Sequence, residues 1–137
     1  MKTLNLSVPG AMLMPMDWKI ELVAIPVTDV DRAKNFYTSI GFNADFDETP
    51  TEDIRFVQLT PPGSGCSICL GKGITDAAPG SVVGMQMVVS SAEQAYQQLI
   101  AAGVEASPVK DEGWGLFTYF ADPDGNKWAV QEIPQRG

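Results

Sequence analysis

The sequence contains no histidine, and this absence narrows the chemistry available to the protein. Histidine is the commonest side-chain ligand of transition metals and the usual general base near neutral pH. Its absence excludes catalytic pairs in which a histidine activates a serine or a cysteine. Any acid–base chemistry would therefore depend on Asp, Glu, Lys, Tyr or Cys side chains.

Basic residues are also scarce. The chain has 9 Lys and Arg residues against 17 Asp and Glu residues, so its formal net charge is −8. Nucleic acids and anionic membranes are bound by basic surfaces, and the charge balance therefore argues against both as partners. An acidic surface keeps a protein solvated and would attract a cationic ligand.

Long apolar runs are missing as well. No run in the sequence approaches the roughly 20 apolar residues of a membrane-spanning helix. Residues 1–18 are interrupted by Pro9 and Pro15 and are followed by no cleavage pattern of small residues. We therefore predict an N-terminal extension rather than a signal peptide, and a cytoplasmic protein without a membrane partner.

The only two cysteines, Cys66 and Cys69, form a C-x-x-C motif. Such a motif is typical of a redox pair or of half a zinc site. Here it falls within a predicted strand, where residues three apart point to opposite faces. No second C-x-x-C motif and no histidine completes a metal site, so we expect structural thiols.

The chain does contain an internal repeat with an offset of 62 residues, within a length typical of one domain. The matching pairs are residues 27–33 with 89–95, Gly41 with Gly103, Ala44 with Ala106, and residues 61–63 with 123–125. The repeat predicts that one supersecondary unit occurs twice. We divide the chain into an extension (1–18), a first module (19–71), a linker (72–81) and a second module (82–137).

Hydrophobic periodicity and capping residues predict the same βαβββ order in each module. The first module is predicted to contain a strand over 21–27, a helix over 30–40 capped by Asp29, and strands over 42–47, 54–59 and 66–70. The second is predicted to contain a strand over 82–89, a helix over 92–102 capped by Ser91, and strands over 105–108, 116–120 and 127–133. We expect the acidic stretch of residues 47–53 to be a solvated turn.

Two motifs frame the repeat. The first is Val27-x-Asp29-x-Asp31-x-Ala33-x-x-Phe36-Tyr37-x-x-x-Gly41-Phe42, and the second is Phe120-x-Asp122-Pro-Asp-Gly-Asn126. They resemble the opening and closing signatures of the vicinal oxygen chelate superfamily, which includes glyoxalase I, bleomycin-resistance proteins and extradiol dioxygenases. The resemblance covers residues 20–133. It implies an α+β fold, with two βαβββ modules forming a cupped eight-stranded mixed sheet, helices outside, and a homodimer.

The metal enzymes of this superfamily place their ligands on the inner strand faces. By register with the opening motif and the repeat offset, those positions fall on Leu22, on Ser67 or Cys69, on Gly84 and on Ala129. These side chains do not suit a divalent metal, and alternation turns Glu132 away from Ala129. We therefore expect neither a metal nor another cofactor.

Strand alternation predicts which side chains line the cup. The ligand-binding candidates on strands are Leu22, Ser67, Cys69, Gln86, Ala129 and Gln131, of which the two glutamines either contact a ligand or pair with each other. Trp114 lies in a Gly-flanked loop and either stacks on a flat ligand or covers one end of the cup. Tyr119 is a further candidate, although the sequence leaves its face open, as it does for Phe117 and Arg55.

These features favour a metal-independent protein that holds a small organic molecule, cationic or aromatic, in an apolar cleft. The resemblance adds drug sequestration as one use of such binding. The alternative is a cofactorless lyase or isomerase, for which Cys69, Lys127 and Tyr119 are the available bases, and no residue is assigned a catalytic role. A third hypothesis is a regulatory subunit with a vestigial cleft.

Overall fold

The computed structural model describes residues 14–134, which form eight strands and two helices. The first module contains β1 (Leu22–Ala24), α1 (Val30–Ser39), β2 (Asn43–Thr51), β3 (Ile54–Thr60) and β4 (Ser67–Lys72). The second contains β5 (Met85–Val89), α2 (Ala92–Ala101), β6 (Lys110–Asp111), β7 (Leu116–Ala121) and β8 (Lys127–Glu132). Residues 14–20 of the predicted extension are neither helix nor strand, and residues 1–13 lie outside the described part of the chain.

Both helices begin and end at the predicted residues, within one position. The Asp29 side chain accepts a hydrogen bond of 3.0 Å from the backbone N–H of Arg32, which caps α1. Ser91 caps α2 in the same way, through a bond of 3.1 Å from Gln94. Within the described residues neither helix is long and apolar enough to cross a membrane.

The strands form two four-stranded mixed sheets, one from each module. The orders are β1-β4-β3-β2 and β5-β8-β7-β6, with β1 parallel to β4, β5 parallel to β8, and the other pairs antiparallel. The predicted α+β fold of two βαβββ modules is confirmed. Among the described residues no strand pairing joins the two sheets, and β1 and β5 each lie at a sheet edge.

Two local predictions differ most from the structure, and β1 and β5 are also shorter than the predicted strands over 21–27 and 82–89. The strand expected over residues 105–108 is absent; β6 lies later, at Lys110–Asp111. Pro108 has no N–H to donate to a ladder, and the Ser107 side chain accepts the N–H of Tyr119 instead. The acidic stretch expected to be a turn belongs mostly to β2, which extends to Thr51.

Alternation correctly predicted which side of each sheet packs under the helices. Its members are buried or partly buried against one core: Val23, Ile25, Val27, Met85, Met87, Val89, Trp128 and Val130. Arg55 also lies on this side, because its guanidinium pairs with Asp31 of α1 at 2.9 Å and with Asp47 of β2 at 2.8 Å. The guanidinium and the ammonium of Lys34 hold the pKa of Asp47 well below its usual range.

A hydrogen-bonded contact region joins the two modules, and we call it the filled junction (Pro26, Tyr37, Asp122, Asn126 and Trp128). The buried hydroxyl of Tyr37 donates to Asp122 at 2.8 Å and accepts from the indole N–H of Trp128 at 3.0 Å. The amide of Asn126 donates to the carbonyl of Pro26 at 2.9 Å and to Asp122 at 2.8 Å. The buried polar groups of this region therefore satisfy one another.

The filled junction fixes how the sheets are oriented. Trp128 lies on the helix side of the second sheet, yet its ring packs against Tyr37 and Phe42 of the first module. The helix sides of both sheets therefore meet in one core, and the opposite sides, which we call the open faces, point away from each other. The registers place on the first open face Leu22, Ala24, Phe46, Phe56, Gln58, Thr60, Ser67 and Cys69. On the second they place Gln86, Val88, Phe117, Tyr119, Lys127, Ala129 and Gln131.

Candidate functional site

The second open face carries an aromatic cluster formed by Trp114, Phe117 and Tyr119. The rings of Phe117 and Tyr119 stack with an interplanar angle of 6° and a centroid distance of 5.7 Å. Trp114 meets the ring of Phe117 edge-on at 6.4 Å, and 69% of its surface is exposed. Because Tyr119 pairs with Ala129 across the sheet, the cluster borders a small side chain that leaves room above the strands.

Glu112 closes one side of this cluster. Its carboxylate accepts a hydrogen bond of 2.5 Å from the hydroxyl of Tyr119 and pairs with Lys110 at 3.3 Å. The bond from the Tyr119 hydroxyl lowers the pKa of Glu112, and the same bond raises the pKa of Tyr119. Tyr119 therefore remains a protonated phenol near neutral pH and holds its ring in place.

The two glutamines of this face pair with each other. The side-chain amide of Gln86 donates to Gln131 at 2.8 Å, and Gln131 donates to the backbone carbonyl of Trp114 at 3.3 Å. A side chain at the buried position Gly115 would collide with the Gln131 amide. The glutamines therefore anchor the loop that presents Trp114, which is one of the two roles the sequence allowed for them.

The candidates from the first module lie on the other open face. Leu22 is partly exposed, whereas Ser67 and Cys69 are buried. The hydroxyl of Ser67 is within 2.6 Å of the Thr60 hydroxyl and accepts from Gln58 at 3.3 Å. Burial raises the pKa of the Cys69 thiol. Among residues 14–134 no strand pairing joins them to the candidates of the second module.

Two concave regions of the described surface contain few of the predicted residues. The larger is a cleft of about 600 Å³ between α2, β5 and the turn of residues 61–64, which we call the inter-module cleft. Of the eight predicted site residues, only Gln86 lines it. A shallow depression of about 450 Å³ on the second sheet includes Tyr119 and Ala129. Leu22, Ser67, Cys69, Trp114 and Gln131 line neither.

Comparisons with known proteins give the family. The model of the Glyoxalase/Bleomycin resistance protein/Dioxygenase superfamily matches residues 19–130. The chain belongs to this superfamily. The confirmed resemblance therefore extends over most of the chain, although no curated protein matches it.

Several solved structures of the superfamily are similar to the chain. TnmS3, an antibiotic binding protein from Streptomyces sp. CB03234, is 28% identical, with 86% of this chain and 98% of that chain covered and a TM-score of 0.78. A glyoxalase/bleomycin resistance protein from the same organism is 30% identical, with 82% and 99% covered and a TM-score of 0.73. A superfamily member from Sphaerobacter thermophilus DSM 20745 is 30% identical, with 86% and 99% covered and a TM-score of 0.76.

The four positions that correspond to metal ligands in metal-dependent members of the superfamily do not all pair as the repeat predicts. Leu22 pairs with Ser67 between β1 and β4. The repeat offset carries this pair onto Gly84 and Ala129, but Ala129 pairs with Gln86 instead. The β5–β8 register is therefore shifted by two residues from that of β1–β4, which places Gln86 rather than Gly84 opposite Ala129. The four positions then offer the Gln86 amide, which is already bonded to Gln131, the Ser67 hydroxyl, and the alkyl groups of Leu22 and Ala129. Among residues 14–134 no three Cys, Asp or Glu side chains lie close enough to hold a metal, so this donor set does not fit one.

Proposed function

We propose that this protein binds a small organic molecule, with an aromatic or cationic group, on its second open face and without a metal. The observation that carries the proposal is an aromatic cluster beside Ala129, in which Trp114 and Tyr119 are exposed and pack against the buried ring of Phe117. Stacked and edge-on rings of this kind provide a rigid apolar wall for a flat ligand. Similarity to TnmS3, an antibiotic binding protein, supports sequestration of a drug or toxin as the use of this binding.

A homodimer forms part of the proposal. Because the two open faces of one chain point away from each other, the candidates of the first and second modules can share a cleft only if a second copy supplies one face. Charged side chains lie on both faces, with Asp45 and Glu48 beside the first and Lys127 and the Lys110–Glu112 ion pair on the second. The sheet edge at β1 provides a strand that can pair between copies.

The structure offers little to favour the lyase or isomerase alternative. Such an enzyme needs a general base that is unprotonated near neutral pH. The pKa of Cys69 is raised by burial, and that of Tyr119 is raised by its bond to Glu112. Both shifts keep these groups protonated near neutral pH, so neither is ready to accept a proton there.

The test uses proflavine, a flat aromatic cation, and metal-free bleomycin as probes. We expect saturable binding of at least one probe, a thermal midpoint that rises with probe concentration, and recovery of the probe unchanged after incubation. Binding should be the same with added zinc or with a chelator. Sedimentation should give the mass of a dimer.

Trp114→Ala should weaken probe binding by about tenfold or more, because a stacking residue at the centre of a site carries much of the affinity. Trp18→Ala is the matched control, since Trp18 is 85% exposed and belongs to no strand of either sheet. Equal binding by the Trp114→Ala variant, metal-dependent binding, or chemical conversion of the probe would refute the proposed site.

A further inference from the structure

The internal repeat produces two equivalent junctions between the modules, and they are filled differently. At the filled junction, Tyr37 and Trp128 supply a phenol and an indole, and Asp122 and Asn126 bond to them and to Pro26. The offset of 62 residues carries Tyr37 to Leu99 and Trp128 to Cys66. The second junction thus has an isobutyl group and a thiol in place of two aromatic rings.

The polar partners are also lost at the second junction. The same offset carries Asp122 to Thr60 and Asn126 to Ser64. The hydroxyl of Ser64 bonds locally to the backbone of Cys66 and does not reach β5, whereas the Asn126 amide does reach Pro26 at the equivalent position. The inter-module cleft of about 600 Å³ lies here.

The walls of this cleft match those of the filled junction. Val89, Ala95 and Leu99 line it at the positions equivalent to Val27, Ala33 and Tyr37. The repeat has therefore kept a space that aromatic rings occupy at the filled junction and that is open at the second junction. Its volume falls within the range of about 300–1,000 Å³ typical of small-molecule sites.

We propose that the inter-module cleft binds a small uncharged aromatic molecule that carries one hydrogen-bond donor, as phenols and indoles do. No charged side chain lines the cleft, so an ionic group would be desolvated there without a partner. Apolar contact comes from Met87, Val89 and Leu99. The side-chain carbonyl oxygen of Gln98, at the rim, can accept a hydrogen bond from the donor group of the ligand. This site is separate from the aromatic cluster around Trp114.

Naphthol is the probe for this site, with naphthoate and naphthylmethylamine as its charged analogues. We expect heteronuclear NMR titration of the whole chain to show saturable naphthol shifts centred on Val89, Ala95 and Leu99. Both charged analogues should bind at least about tenfold more weakly. Absence of saturable naphthol binding, or equal binding of the charged analogues, would overturn the proposal.

Two variants that fill the cleft test its position. Ala95→Phe and Gln98→Trp should each weaken naphthol binding about tenfold or more, and the exposed position of Gln98 ensures that one variant keeps the core intact. Gln97→Trp is the matched control, because Gln97 neighbours Gln98 on α2 without lining the cleft, and its binding should be unchanged.

The two proposed sites can fail separately. Trp114→Ala should leave naphthol binding in the cleft unaltered while it weakens proflavine binding. Naphthol shifts that centre on Trp114 and disappear in that variant would refute the cleft as the site. Unchanged binding in both filling variants would do the same.

Discussion

The hydroxyl of Tyr37 donates a 2.8 Å hydrogen bond to the buried carboxylate of Asp122, which lies 85 residues further along the chain. The same hydroxyl accepts from Trp128, so one side chain of the first helix joins two positions of the last hairpin. Burial, followed by the nearby charge of Asp122, raises the pKa of Tyr37 far above its ordinary value. The phenol therefore stays protonated and continues to donate wherever the protein is folded.

Tyr37→Phe should destabilise the protein by about 2 kcal/mol, because it leaves the Asp122 carboxylate and the Trp128 N–H buried with one partner fewer. Urea unfolding, with the midpoint and slope both fitted, measures the loss. Tyr96→Phe on α2 is the control, since its hydroxyl has no hydrogen-bond partner within residues 14–134, and it should change stability little. Equal effects of the two variants would contradict the role of the filled junction.

Asp47 gives a pH-dependent contribution to stability. Its pKa is lowered by Arg55 first and then by Lys34, so the folded state favours the charged carboxylate. This contribution is complete above the unfolded pKa of about 3.9 and is lost as the pH falls below it. Asp47→Asn should therefore cost about 1 kcal/mol at neutral pH, and the difference from the unmodified protein should shrink in acid.

Thermal melts of the two proteins between neutral pH and about pH 3 measure this convergence. Asp76→Asn provides the comparison, because Asp76 is exposed and forms no ion pair in the described part of the chain. A difference between the Asp47→Asn variant and the parent that stays constant with pH would show that the ion pairs do not contribute.

Gly115→Ala should disturb the loop that carries Trp114. The added methyl would collide with the amide of Gln131, which then loses its bonds to Gln86 and to the Trp114 carbonyl. We expect a shifted Trp114 fluorescence spectrum, proflavine affinity reduced several-fold, and a stability loss of about 1–2 kcal/mol. Gly84→Ala, where a methyl meets nothing within 4 Å, should leave all three unchanged. An undisturbed Trp114 spectrum in the Gly115→Ala variant would exclude Gln131 as the anchor.

The two thiols should react at different rates. Cys69 is buried and the pKa of its thiol is raised by desolvation, whereas Cys66 is partly exposed. Thiolate is the reactive form, so a disulfide reagent should label Cys66 first and Cys69 only as the protein opens. Cys66→Ser should remove the fast phase alone. Equal rates, or an internal disulfide under mild oxidation, would instead indicate a redox pair.

Local chemistry made the elements of this fold predictable. Asp29 and Ser91 marked the helix starts because an acceptor side chain at that position caps free N–H groups. Alternation identified the helix sides of both sheets, since every second side chain of a strand packs against the core. The tight turn of residues 122–126 also fixes the register of the hairpin, which places Tyr119 opposite Ala129. Counting outward from this turn would have predicted the sheet face on which Tyr119 and Phe117 lie.

The arrangement of the site was less accessible from the sequence. Gln86 lies opposite Ala129 because the β5–β8 register differs by two residues from the β1–β4 register of the first module. No local sequence feature predicts this shift. The two open faces point in opposite directions because Tyr37 and Trp128 pack together across the modules. That contact joins distant parts of the chain, which periodicity does not report.

The long sequence separation across the filled junction has a consequence for how the chain matures. During synthesis, α1 is complete long before its partners at residues 122–128 exist, and its aromatic surface has nothing to pack against until the last hairpin is made. The two halves should therefore acquire their final structure together and late, and neither half produced separately should be stable.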